Sequence, residues 1–223
     1  MTIGIVYEDE NILIINKPAG LTVNRSETTK GDTLQDYLER NYKIPVERSG
    51  IVHRIDKETS GLLIIAKNDE AFTNLQKQFK DRIVKKKYIS LVHGRLNSDG
   101  EVSVPVGRLP WNRKRFGVLA GGREAFTKYH IIKAIDINGE AMTLLELYPE
   151  TGRTHQIRVH LKYLNHPIFG DELYAGRKTA RNDRKILPRL FLHASKISFI
   201  HPKSGERVEF ESDLPKELAD LIP

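Results

Sequence analysis

The chain has 223 residues, 39% of them hydrophobic and 29% charged, with 36 Lys and Arg against 29 Asp and Glu for a formal charge of +7. A chain of this length buries a proper core without metal or disulfide staples, and its composition is globular rather than disordered. Cysteine is absent, which excludes disulfides, thiolate metal sites and thiol nucleophiles, and no apolar run approaches the ~20 residues of a membrane span. The start, MTIGIVYEDENILIINKP, has no basic segment followed by an apolar signal core, so a soluble, cytoplasmic protein is expected.

In chain order, Ile5 to Tyr7 and Ile12 to Asn16 read as short strands around the polar turn Glu8-Asp9-Glu10-Asn11, and Lys17-Pro18-Ala19-Gly20 breaks the pattern. Thr33 to Tyr42 reads as a helix capped by Asp32 or Thr33, with Leu34, Tyr37 and Leu38 on one face. The apolar run Gly61 to Ala66 is expected as a strand buried on both faces. Asp69 to Arg82 follows as an amphipathic helix with Phe72, Leu75 and Phe79 at helical spacing. Alternation then marks strands at Lys87 to Val92, Val102 to Val106, Phe126 to Ile132 and Met142 to Tyr148. Thr154 to Leu164 reads as a helix that Thr154 caps, with Ile157, Leu161 and Leu164 as its apolar stripe. Strands return at Leu192 to Ile200 and Val208 to Phe210, and Pro215 at a first-turn position opens a closing helix. There is no internal repeat. The mixture of elements and hairpin-length gaps argues for an α+β fold, as one compact catalytic domain over 1–223 with two lobes around a cleft.

Positive charge gathers at Arg82 to Lys87, Arg108 to Arg115 and Arg177 to Arg189. Three such clusters are either solvated loops and faces or parts of one groove for a polyanion, and their number on a small chain favours the groove. The densest functional pattern is HRIDKETSGLLIIAK, His53 to Lys67. Here a charged loop runs straight into a buried strand, which would hold Asp56 and Arg54 on a rigid support. By themselves these residues fit somewhat better a loop in which Arg54 or Lys57 merely pairs with Asp56 or Glu58.

This run closely resembles the signature of the RluA-type family of RNA pseudouridine synthases. Three further segments resemble that family's motifs in the same order: Asn16 to Leu21 (NKPAGL), Lys86 to Gly94 (KKYISLVHG), and Thr151 to Leu161 (TGRTHQIRVHL) followed by Pro167 to Asp171 (PIFGD). The one departure in the signature is Ile55 where leucine is commoner. Many relatives carry an additional N-terminal RNA-binding module, and this chain starts on the catalytic domain. The resemblance implies a mixed, mostly antiparallel central sheet with flanking helices and an active-site cleft. It also implies isomerisation of uridine to pseudouridine in structured RNA, ribosomal or transfer RNA, with no cofactor and no metal.

The reaction breaks the bond between ribose and the uracil nitrogen, turns the base over and joins its ring carbon to the same sugar carbon. It needs a carboxylate beside the sugar, as a nucleophile at the anomeric carbon or as a base that makes a glycal. The resemblance assigns this role to Asp56, with Arg158 keeping it ionised and Tyr88 stacking on the flipped uracil and removing its ring proton. It assigns to Arg54 the place in the stack that the extruded uridine leaves. His53, Lys85, Lys86, Lys87, Arg113, Lys114, Arg115, Arg153, Arg181 and Lys185 complete the expected RNA contacts. The histidines at 53, 155 and 160 are expected to make structural hydrogen bonds, since positions 155 and 160 share no helix face and no carboxylate pair accompanies them. Arg158→Met is expected to cut turnover while leaving the fold intact. The competing reading is a catalytically silent RNA-binding protein of the same fold; a monomer is expected.

Overall fold

In the computed structural model, which describes residues 3–26, 29, 31–113 and 115–222, the strands and helices follow in this order. They are β1 (Gly4–Glu8), β2 (Ile12–Lys17), α1 (Leu34–Asn41), β3 (Ser60–Ala66), α2 (Asp69–Lys80), β4 (Lys85–His93), β5 (Gly100–Ser103), β6 (Val106–Arg108) and β7 (Phe116–Val118). Then come β8 (Phe126–Ile137), β9 (Glu140–Pro149), α3 (Gln156–Tyr163), α4 (Arg177–Ile186), β10 (Leu192–Ile200), β11 (Arg207–Glu211) and α5 (Lys216–Ala219). The chain divides into two compact units, Met1–Lys85 with Ala194–Asp213, and Lys86–His193 with Leu214–Pro223.

In the first unit the strand order is β1-β2-β3-β10, with β11 on β10, and β1 on β2, β2 on β3 and β10 on β11 are antiparallel. Every residue of β3 is buried, as its unbroken apolar run predicts. Its partner β2 sets Ile12, Ile14, Leu62 and Ile64 into one core with Phe72 and Leu75 of α2. Gly61, the second residue of this strand, has φ 115°, and an added Cβ there would lie 2.3 Å from the Ala194 carbonyl oxygen; only glycine permits so close a backbone approach. Thr33 caps α1 in a capping box with Asp36, and hydrogen bonds from Thr33 hold the Asp36 carboxyl down at about 2. Asn68 caps α2 by accepting from the Ala71 amide at 2.9 Å.

In the second unit β4-β9-β8-β5 are antiparallel neighbours, and β6 and β7 form a separate two-stranded hairpin. The segment expected as one strand, Val102 to Val106, is split between β5 and β6. Helix α3 is not capped by Thr154: its N-cap is His155, at φ 55° and without a side-chain cap bond. Gln156 instead ties the entry down, donating to the Phe126 carbonyl and the Thr127 hydroxyl while accepting from Thr151 Oγ1 and the Arg153 amide. Pro215 lies one residue before α5 rather than in its first turn. Helix α4 was not expected from the sequence, because only Ala180 and Asp183 are buried along it and no apolar stripe exists to be read. A polar anchor holds it instead. The buried Asp183 carboxylate accepts from the Gly170 amide at 2.9 Å and bonds His93 Nε2 at 3.0 Å.

Candidate active site

In the first unit, Asp56 lies on a turn closed by the Thr59 amide donating to the Asp56 carbonyl at 3.1 Å. The backbone alternation buries Ile55, exposes Arg54 and leaves Asp56 half-buried. Two features fix this turn from outside. His53 Nε2 accepts from the Ile64 amide at 3.0 Å, and its ring stacks on Phe79 at 4.6 Å between centroids. This is the structural hydrogen bond expected of His53, made to β3. The other feature is Lys17, fully buried, whose ammonium donates to the carbonyls of Pro18, Leu21 and Lys57 at 2.8, 2.9 and 3.1 Å. The Gly20 amide shares the Lys57 carbonyl at 2.8 Å.

The Asn-Lys-Pro-Ala-Gly segment therefore clamps the residue next to Asp56, a role with no local signal, since Lys17 and Lys57 lie far apart in the chain. Charge-assisted hydrogen bonds contribute about 1.5–3 kcal/mol. Lys17→Met should lower stability by that order and reduce turnover as the turn loosens, read by thermal melting and uridine isomerisation on the same preparation. An unchanged melting curve would refute the clamp.

In the second unit, Tyr88 lies on β4 opposite Leu147 and is 8% exposed. The three lysines before it have different surroundings. Lys85 is exposed. Lys87 forms a half-buried ion pair with Glu146 at 3.0 Å, and Glu146 also accepts from the Tyr148 hydroxyl. Despite its partial burial, these partners hold the Glu146 carboxyl below the usual range. Lys87 is thus already paired within the protein.

Lys86 is half-buried, its Nζ 3.9 Å from the place a Cβ would occupy on Gly152, and burial pushes its ammonium down from 10.5 to about 8. A lysine whose folded value is depressed costs stability while charged: below pH 8 the full cost applies, and stability rises with pH between about 8 and 10.5. Lys86→Met should therefore stabilise the fold at pH 7 by about 2–3 kcal/mol and flatten that rise, read by denaturant unfolding at both ends of the window. A less stable Met variant would refute this.

Arg158, expected to hold Asp56 charged, is 4% exposed on α3. Its Nε and Nη2 each donate to Asp171 at 2.8 Å, in a bidentate pair whose carboxylate is fully buried. Asp171 is fixed in turn by the amides of Leu173 and Tyr174, at 2.9 and 3.1 Å. The Tyr174 ring lies 5.1 Å from the guanidinium carbon, and its hydroxyl meets His155 Nδ1 at 2.9 Å and the Phe116 amide at 3.0 Å. Asp171 and Tyr174 were missed as site residues, although Asp171 closes the PIFGD segment. His160 sits between Thr127 Oγ1 and the Val104 carbonyl, and burial lowers its pKa, as fits a neutral structural histidine.

Of the remaining basic residues, Arg113, Arg115, Arg181 and Lys185 are exposed, and Lys114 lies outside the described residues. Arg177, Arg181 and Lys185 recur every four residues along α4 and so share one face. Arg184 and Arg189 of the same basic cluster serve the fold by donating to backbone carbonyls. Arg153 is half-buried, its Nε on the Glu124 carbonyl at 2.9 Å. Among the described residues, no group of three His, Cys, Asp or Glu is placed to hold a metal ion, and no helix is long and apolar enough to cross a membrane.

Residues 11–163 match the family model described as RNA pseudouridylate synthase, and the chain belongs to that family. It is 41% identical over 228 residues to "Uncharacterized RNA pseudouridine synthase YlyB" of Bacillus subtilis, covering 100% of this chain and 72% of that protein. It is 42% identical over 224 residues to ribosomal large subunit pseudouridine synthase D of Nitrosomonas europaea, covering 98% of this chain and 64% of that protein. Among solved structures, human RNA Pseudouridylate Synthase Domain Containing 1 superposes with a TM-score of 0.78 at 29% identity, over 96% of this chain and 84% of the human one.

Proposed function

We propose that the chain isomerises uridines of large-subunit ribosomal RNA as a single catalytic domain, a monomer in the cytoplasm, with Asp56 as the acting carboxylate. The observation that carries this reading is the clamped turn: Asp56 is half-buried on backbone that Lys17 and Gly20 hold through the Lys57 carbonyl. Such preorganisation suits a group that must meet one sugar carbon. Asp56 either bonds the anomeric carbon or removes the neighbouring sugar proton as the uracil nitrogen departs. The base turns over, its ring carbon bonds the sugar, and Tyr88 takes the proton that this carbon loses. Arg158, held by its bidentate pair with Asp171, is the cation assigned to the reaction. Arg54, exposed beside Asp56, fills the stack left by the extruded uridine. The ribosomal target is drawn from the Nitrosomonas europaea relative's name.

The test is tritium release from transcripts labelled at the uracil ring carbon that becomes the new attachment point, with ribosomal and transfer RNA fragments in parallel. Release from ribosomal fragments is expected. Release from transfer RNA alone would overturn the substrate class, and binding without release from any RNA would favour a silent RNA-binding protein. Exposed Lys85, Arg113, Arg115, Arg181 and Lys185 act as phosphate contacts. About five such contacts imply an affinity loss on the order of 10²–10³-fold between roughly 50 and 200 mM salt. Filter-binding titrations over that range check this, and salt-insensitive binding would sink the assignment.

A further inference from the structure

The β6–β7 hairpin carries an aromatic residue that the reaction described above does not use. Trp111, the chain's single tryptophan, lies between the two strands and is 76% exposed. An exposed indole offers a broad, rigid π-face on which another ring can stack.

The loop that holds it is built. The Leu109 amide donates to the Arg115 carbonyl at 3.0 Å, the Asn112 amide to Leu109 at 3.2 Å and the Arg115 amide to Asn112 at 2.9 Å. Arg108 spans the loop, its Nη1 on the Arg113 carbonyl at 3.2 Å and its guanidinium carbon 5.2 Å from the Phe116 ring. Phe116 in turn donates its amide to Tyr174, the residue whose ring packs on Arg158. The stalk is thus tied to the structure around α3, and its tip projects Trp111.

The charge around the tip selects the partner. Arg108, Arg113 and Arg115 are exposed. An indole flanked by exposed guanidinium groups suits a polyanion that also offers flat π-faces. A paired helix keeps its base faces stacked, so the partner is an unpaired nucleotide.

We propose that Trp111 is a stacking platform for an unpaired nucleobase of the RNA substrate, separate from the uridine that is modified, with Arg113 and Arg115 on the adjoining phosphates. This rests on the reading of the chain as an RNA-modifying enzyme. It adds a second point of recognition at the hairpin tip.

The single tryptophan supplies the test. The intact chain is titrated with a short single-stranded RNA oligonucleotide and with a fully paired duplex of the same strand. Tryptophan emission is followed by fluorescence, and binding by filter retention. Single-stranded RNA should quench the emission saturably, and the duplex should bind with little quenching. Trp111→Ala should weaken single-stranded binding about 5- to 100-fold, with Trp111→Phe recovering most of it. Bound single-stranded RNA with unchanged emission would overturn the proposal, as would wild-type affinity in Trp111→Ala. If the alanine variant fails to fold, quenching of the wild-type chain decides alone. A wrong activity assignment appears separately, as wild-type chain that releases no tritium whether or not RNA quenches Trp111.

Discussion

Asp56→Asn is expected to abolish tritium release, by on the order of 10⁴-fold or more, and to leave RNA affinity and the folded structure close to those of the wild type. The amide keeps the shape of the carboxylate, but it can neither attack the anomeric carbon nor remove a sugar proton. The turn survives because backbone groups hold it: the Thr59 amide on the Asp56 carbonyl, and Lys17 with Gly20 on the Lys57 carbonyl. RNA grip survives because the exposed residues Arg54, Arg113, Arg115, Arg181 and Lys185 are untouched. The expected signature is lost turnover at unchanged affinity, measured by single-turnover release at saturating RNA and by filter binding, with Asp56→Ala in parallel. Release by Asp56→Asn within tenfold of wild type would remove Asp56 from the chemistry. Loss of binding together with turnover would mean that the residue shapes the RNA contact instead.

Separating Arg158 from Asp171 should cost the protein both its stability and its activity. The two form a bidentate pair with side-chain exposures of 5% and 0%, so removing one partner leaves the other charged and buried. Such a loss costs about 3–5 kcal/mol, which for a chain of this size lowers the melting temperature by about 10 °C. The expectation that Arg158→Met would leave the fold intact is therefore corrected: the substitution orphans Asp171, which keeps only the Leu173 and Tyr174 amides. Asp171→Ala should destabilise to a similar degree. Arg158→Met combined with Asp171→Asn removes both charges and keeps an acceptor for the two amides, so it should regain much of the stability and none of the turnover. Thermal melting and tritium release on the three variants check this. A double variant that recovers activity with stability would show Arg158 to be purely structural.

The sequence by itself determined the elements whose signal is local. Apolar runs specified β2 and β3, helical spacing specified α2, and the Thr33 cap marked the start of α1. It also marked the four collinear motifs that placed the chain in its family, together with Asp56, Tyr88 and Arg158 as candidates. What it could not reach depended on partners distant along the chain. Helix α4 has no apolar stripe, because Asp183 anchors it through Gly170 and His93. Lys17 reads only as part of a pattern-breaking Lys-Pro-Ala-Gly segment until its ammonium is seen among three carbonyls, one of them forty residues away. Lys86 and Lys87 sit side by side in a basic run, yet one is desolvated and the other paired with Glu146. Only the strand pairing that brings β9 beside β4 distinguishes them. Local pattern records which surfaces must be buried, whereas the fate of a charge depends on what the fold brings to face it. That is why the elements were legible and the ion pairs, the clamp and the exposure of Trp111 were decided by tertiary structure.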